Sequence, residues 1–470
     1  MIKIFYFGII IIYIFCISGC VNTSSQYMED IIEDDYIMDR GPSQGGTLNM
    51  FTTKPDTLNP ILTKNIYAKD VLRLVFDGLI ELNESQIPIP CIAESWTVSD
   101  DGLMWTFKIR DDITWHDGTK LTAQDVEYTF GVISNPSTNS IYKHNIDNVD
   151  KFAIKDKNMF KIKLKEPNSF TAELMGFPII PKHYYTGNDV LKLKSSINLK
   201  PIGSGPYKFS KLSDKDINFE RYDEWWGKNI LEDKDKNNMP YISKIKAKIF
   251  DNEKESVNAY LTKKIDTTTV SINESGKYSI RSDTTLKKFT GNEFTFLALN
   301  LNNLSLRNKD IRQAMAYAID KTKIIDDIFP GEAIAADIAV FPGSWILKGI
   351  QEPFYKYDLQ KAQKILADGG WYKGKENLVN NSKGGTISAN FNLIVNKDNS
   401  TRVLIADYIK KQLEELGIKI NVTSLTWEEA LSYVKSGDYE IALLGCNVTE
   451  ALDLSYLYSA EQIGNFNIAN

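Results

Sequence analysis

The stretch that most constrains this chain runs from residue 387 to 444, where short apolar segments alternate with amphipathic ones. Ile387–Val395 reads as a strand, Arg402–Leu416 as a helix stopped by Gly417, and Ile418–Val422 as a second strand. Trp427–Lys435 reads as another helix, opened by a Thr426/Glu429 capping box and closed by Gly437, and Tyr439–Leu444 as a third strand. Strand–helix–strand–helix–strand in so short a span predicts a parallel sheet with right-handed crossovers, hence an α/β fold. Ligands bind outside the carboxyl ends of the strands in such sheets. That points to Gly445, Cys446 and Asn447, immediately after the last strand, as a cleft wall.

Upstream the pattern changes. Gly45–Met50 starts a first strand, and Leu79 to about Phe160 is β-rich. Trp96–Val98 and Met104–Ile109 alternate around Asp100-Asp101-Gly102, a hairpin signal. Thr122 caps a helix with Asp125 at its third position and Val126, Phe130 and Ile133 on its apolar face. Asn308 opens a helix carrying Ile311, Met315, Ala318 and Ile319, and Asp358–Ala367 forms another before Gly369-Gly370.

Composition narrows the function classes. The 470 residues suggest two to four domains at about 100–200 residues each. Lys+Arg 55 against Asp+Glu 61 leaves a net charge of −6 with no basic block, which argues against nucleic acid as a partner. The 3 His and 4 Cys fall at no metal-ligand spacing, so neither a metal nor another cofactor is expected, and few bases exist to activate a nucleophile. His116-Asp117-Gly118 reads as a turn, since Asp-Gly is a turn dipeptide. Gly203-Ser204-Gly205-Pro206-Tyr207 is not G-x-S-x-G and also reads as a structural turn. Trp96, Trp105 and Trp115 read as core. Cys91 and Cys446 lie far apart in sequence, and no disulfide is expected between them.

Lys3 precedes a 14-residue uncharged run, Ile4 to Ile17, too short for a span of about 20 apolar residues but fitting a signal-peptide core. Ile17-Ser18-Gly19-Cys20 looks like a bacterial lipobox, which implies cleavage before Cys20 and attachment of lipid to its sulfur. Residues 1–19 would then be a lipoprotein signal peptide. Residues 20–44, polar, acidic and without periodicity, would be a flexible tether to the membrane.

A wider resemblance covers Gly45 to Asn467. In order, it comprises Leu58-Asn59-Pro60, Val75-Phe76-Asp77-Gly78-Leu79, Ile92-Ala93-Glu94-Ser95-Trp96, Asp100-Asp101-Gly102 and Trp115-His116-Asp117-Gly118-Thr119 with Leu121–Val126. Further on come Pro181-Lys182-His183, Gly203–Tyr207, Arg312-Gln313-Ala314, Ala318-Ile319-Asp320 and Gly369-Gly370-Trp371. With these motifs the chain resembles the large extracytoplasmic solute-binding proteins of ABC importers, the family of oligopeptide-, dipeptide- and nickel-binding proteins. The resemblance implies a two-lobed, periplasmic-binding-protein-like (type II) fold with an extra domain inserted in the first lobe. Residues 45–77 plus 179–285 would form the first lobe, 78–178 the insertion, and 286–470 the second lobe.

The resemblance also implies function: a lipid-anchored receptor, acting as a monomer and without catalysis, that captures peptides and delivers them to an ABC transporter permease. A nickel chelate or another small solute, or a degenerate non-transporting remnant, stays open as an alternative. In peptide-binding members an Asp shortly after the last strand holds the peptide's amino group. Thr449 occupies that place here and Cys446 the place of an aromatic, so Glu450 or Asp453 is left to supply the carboxylate. The other wall is expected around Asn65, Ile66 and Tyr67. Family members also continue past a segment like Asn465-Phe466-Asn467 to return to the first lobe, so the second lobe is expected to be incomplete at its C-terminal end.

Overall fold

The structure is a computed structural model that describes residues 43–229, 240–270, 272–350, 354–382, 385–448 and 454. In chain order its N-terminal half contains β1 (Gly45–Thr52), α1 (Ile66–Leu72), β2 (Ile80–Leu82), β3 (Pro88–Pro90), β4 (Ala93–Val98), β5 (Met104–Ile109) and α2 (Ala123–Ser134). Next come β6 (Val149–Asp156), β7 (Met159–Leu164), β8 (Tyr207–Leu212), β9 (Asp216–Arg221), β10 (Ile242–Ile249), α3 (Glu253–Leu261) and α4 (Ile272–Ser279). The C-terminal half contains β11 (Glu293–Leu299), α5 (Leu304–Arg307), α6 (Lys309–Ala318), α7 (Lys321–Ile328), α8 (Leu359–Asp368), β12 (Trp371–Lys373), β13 (Leu378–Ser382) and β14 (Gly385–Ser388). It ends with β15 (Asn390–Asn396), α9 (Ser400–Glu415), β16 (Lys419–Leu425), α10 (Trp427–Ser436) and β17 (Ile441–Asn447).

Two mixed sheets organise the two halves. The first has the order β1-β10-β9-β8, with β1 parallel to β10. The alternation in β10 explains its place: Ile245 and Ala247 are buried between lysines at 244, 246 and 248. The second sheet has the order β11-β17-β15-β16, with β15 parallel to both β16 and β17. Helices α9 and α10 make the crossovers, each with its apolar side on that sheet. In α10 the Thr426/Glu429 capping box forms, and Gly437 closes the helix at φ +74.

The expected strand 387–395 is two strands in two sheets. Ile387 belongs to β14, in the small sheet β12-β13-β14, while β15 starts at Asn390. Ala389 makes the change: its N–H bonds to Leu378 of the small sheet and its carbonyl accepts from Lys419 of the large one. The alternation of polar and apolar residues continues from Ser388 through Asn390 and Asn392, so nothing local in the sequence marks the handover.

Between β1 and β8 the chain leaves the first sheet and builds an antiparallel sheet, β4-β5-β7-β6, covered by α2. The Trp96–Ile109 hairpin forms as expected, turning at Gly102 with φ +70. Thr122 and Asp125 form a capping box, and Val126, Phe130 and Ile133 are fully buried. Departure and return are adjacent: Gly78 bridges Pro178, and Ile179 N–H bonds to the Asp77 carbonyl at 2.9 Å. The apolar core nonetheless runs unbroken from the first sheet into this excursion, from Leu58 and Val75 through Phe130 and Phe160 to Ile245. A separate core fills the C-terminal half around Ile311, Phe391, Leu393, Leu413 and Leu443. Among the described residues no helix is long and apolar enough to cross a membrane.

Candidate functional site

The carboxyl edges of the two sheets are where a ligand is expected, and both can be built from the residues up. In the first half, β1 ends at Thr52 and the chain loops to Asn65, the N-cap of α1. The Asn65 Oδ1 accepts from the Tyr67 and Ala68 N–H groups at 3.0 and 3.1 Å, and its Nδ2 donates to Thr53 Oγ1 and the Lys54 carbonyl. That amide is therefore fully engaged in holding the helix start to the strand end. Ile66 follows it, 64% exposed. Tyr67 sets its ring edge-on against Phe51, with centroids 4.9 Å apart, and donates from its hydroxyl to Glu253 Oε1 at 2.7 Å. Burial first, then the Glu253 carboxylate, push the phenol up to about 12.

The second edge differs from expectation in one respect. Gly445, Cys446 and Asn447 do not follow the last strand; they are its final residues, paired with Thr295, Phe294 and Glu293 of β11. A Gly-Cys-Asn tripeptide has little strand propensity of its own, and the neighbouring antiparallel strand is what keeps it extended. On the opposite side, β15 pairs with β17 only as far as Val395 with Leu443. β17 therefore continues four residues past its last pair with its parallel neighbour, at the edge where α/β sheets receive ligands.

Arg402 fills the space beside that projection. It lies in the first turn of α9 and is 8% exposed. Its Nη1 donates to Asn396 Oδ1 at 3.2 Å and its Nη2 to Glu293 Oε1 at 2.7 Å. The Trp427 ring centroid is 5.8 Å from its guanidinium carbon. Its Nε is buried with no hydrogen-bond partner. A Cβ at position 445 would come within 2.0 Å of Nη2, so glycine is what lets the guanidinium lie on the strand. The sequence reading names Gly445 at this edge and does not name Arg402. The signal was available: Arg402 shares the helical face of Ile405, Ala406, Ile409 and Leu413, all buried, and a charge on a core face asks for a partner. Thr449, Glu450 and Asp453 lie outside the described residues.

The residues that could suggest catalysis are consumed elsewhere. Gly203 and Gly205 bring their turn against residues 74 and 75; a Cβ on Gly203 would sit 1.8 Å from the Val75 carbonyl oxygen. Gly205 N–H bonds to that same oxygen at 2.8 Å. Ser204 Oγ donates to Asp77 Oδ2 at 2.8 Å, where Trp226 Nε1 also donates. Burial pushes Asp77 up to about 6. His116 Nδ1 accepts from Gly203 N–H while Nε2 faces the Gly205 carbonyl at 2.9 Å, and burial lowers this imidazole to about 4. His183 pairs with Asp117 at 2.7 Å. Both motifs are thus turns, as the sequence indicated, and Ser204 bonds Asp77 rather than an imidazole. Trp105 and Trp115 are buried and Trp96 packs partly against the same core. Cys91 and Cys446 are not joined in a disulfide, the first being buried in the N-terminal half and the second lying on β17. No cluster of His, Cys, Asp and Glu fit for a metal occurs among the described residues.

Comparison with known proteins agrees with this arrangement of two mixed sheets. The family described as bacterial extracellular solute-binding proteins, family 5 middle, matches residues 88–466. Oligopeptide-binding protein AppA of Bacillus subtilis (strain 168) is 24% identical over 433 residues, covering 90% of this chain and 77% of that protein. The ABC transporter substrate-binding protein CtaP of Listeria monocytogenes superposes with a TM-score of 0.71 at 25% identity, over 90% of this chain and 83% of that one. NikZ of Campylobacter jejuni in complex with Ni(L-His) superposes with a TM-score of 0.62 at 24% identity, over 91% and 84% of the two chains. The fold is the two-lobed, periplasmic-binding-protein-like (type II) α/β architecture. With the family's match spanning most of its length, this chain belongs to the bacterial extracellular solute-binding proteins of family 5, whose members bind substrates for transport.

Proposed function

We propose that this protein captures peptides outside the cytoplasm and passes them to an ABC permease, held to the membrane by lipid on Cys20. The observation that carries the peptide reading is the end of β17, which runs four residues past its last pair with β15 at the sheet's carboxyl edge. An extended peptide recognised through its backbone adds at such a sheet edge as a further strand. In this reading the lobes are 45–77 plus 179–285 and 286–470, residues 78–178 are an insertion, and the ligand is enclosed as the lobes close. AppA, a relative, is an oligopeptide-binding protein.

Peptide capture requires a partner for the ligand's ammonium group, which loses its water as the lobes close. Thr449 carries no charge, which leaves Glu450 and Asp453. Removing the partner of a buried charge costs about 3–5 kcal/mol. Calorimetry of Glu450→Gln and Asp453→Asn against one tight-binding peptide should show that loss in one variant, matched by N-acetylation of the peptide. Normal binding in all three experiments excludes amino-group anchoring. The alternative solute is a nickel chelate, since the NikZ structure holds Ni(L-His); native mass spectrometry of the purified protein distinguishes a peptide mass from a metal complex. Membrane anchoring is tested by Cys20→Ala, which should release the protein from the membrane fraction, because the 14-residue run anchors poorly by itself.

A further inference from the structure

A short segment of the second lobe grips the insertion. Trp345 N–H donates to the Ser85 carbonyl at 2.9 Å, and its ring lies 6.1 Å from that of Phe170, centroid to centroid. Ser85 belongs to the tip of the β2–β3 hairpin and Phe170 to the loop that follows β7. The root of the same segment reaches the candidate site. Ala339 is buried with Val448, against Phe294, Phe296 and Cys446 at the ends of β11 and β17. One stretch of chain therefore joins the ligand edge of the second lobe to the insertion of the first.

The joint is not a settled packing contact. Gln86, next to Ser85, holds φ +61, a left-handed backbone that glycine would adopt without penalty. Gln86 Oε1 and Ser344 Oγ are both buried without a hydrogen-bond partner, and each sits one residue from the Ser85–Trp345 hydrogen bond. Strain and unsatisfied polar atoms together mark places where a protein holds one of two arrangements. Gly343 at φ +88 supplies a backbone pivot just before them.

We propose that residues 341–347 are a latch: Trp345 engages the Ser85–Phe170 face of the insertion to hold the two lobes together, and releases it when they part. This rests on the reading of the protein as a receptor that closes on its solute. With the latch broken, the lobes separate more widely and bound ligand leaves faster.

Small-angle scattering of Trp345→Ala and Phe170→Ala, without added ligand, tests the latch directly. The two variants remove opposite halves of one contact from different lobes, and circular dichroism checks that each folds. Both should expand the radius of gyration by several per cent of the roughly 22 Å expected for a compact chain of this length. Both should also release a pool of synthetic tri- to nonapeptides about tenfold faster. Wild-type scattering profiles from both folded variants overturn the latch. If no peptide binds even the wild type, the solute reading falls while the ligand-free scattering still decides the latch.

Discussion

Two places in the molecule are built on a glycine that another group presses against, and they end in opposite states. At the turn in the N-terminal half, Gly203 and Gly205 meet backbone carbonyls, and the nearby polar groups of Ser204, Asp77, Trp226 and His116 are bonded to one another or to the turn. At the sheet edge in the C-terminal half, Gly445 meets a side chain, and Arg402 keeps one buried nitrogen unpaired beside a projecting strand. The turn contains the residue types of catalysis but has no capacity left. The edge keeps one buried donor, Arg402 Nε, unused. Unused hydrogen-bonding potential at a ligand-accessible edge is the better guide to function than residue type.

The largest effect that would break this contrast lies at the turn. Gly203→Ala places a Cβ on the Val75 carbonyl, backbone against backbone, and should cost about 3–5 kcal/mol. Its thermal midpoint should fall by roughly 10 °C; a smaller shift in a scanning-calorimetry trace means the turn relaxes and is no rigid joint. Gly445→Ala pushes instead on a side chain. It should cost about 1–3 kcal/mol of stability but lower peptide affinity about a hundredfold by displacing Arg402. Equal affinity by calorimetry would separate this edge from the ligand.

The titrating groups of the turn sharpen the comparison further. His116 is lowered from 6.5 to about 4, so the stability it contributes is present above pH 6.5 and lost as pH falls towards 4. Asp77 is raised from 3.8 to about 6, so its contribution is present at acid pH and lost as pH rises through 6. The two nearly offset in the wild type. His116→Gln removes one of them, so its stability deficit in urea should shrink by about 2 kcal/mol between pH 7 and 4.5. A deficit that stays constant shows that the imidazole is not held neutral by burial. The smallest effect belongs to the other wall: Asn65→Ala loses the cap of α1 and about 1 kcal/mol, with peptide affinity unchanged.

What the sequence displayed follows from this division. Caps and turns are local, so Thr122 with Asp125, Thr426 with Glu429, and Gly437 could be read directly and stand as expected. The handover at Ala389 and the extension of β17 to Asn447 depend on strands far away in sequence, Leu378 in one case and Glu293–Thr295 in the other. Arg402 was hidden for the same reason. Its partners Asn396, Glu293 and Gly445 come from three strands, and only the charge on a buried helical face betrayed it. Asn65 and Tyr67 lie in the segment after β1, and the hydrogen bonds that occupy them, with Ala68 N–H and with Glu253 far along the chain, need coordinates to be seen.

Hydrogen exchange read by mass spectrometry, with and without a saturating pool of synthetic peptides, tests the central claim most directly. The account predicts that peptide slows amide exchange at Leu444–Asn447 and in the first turn of α9, while residues 203–207 exchange alike in both states. Protection confined to 203–207, or bound peptide that leaves 444–447 exchanging as before, would contradict it.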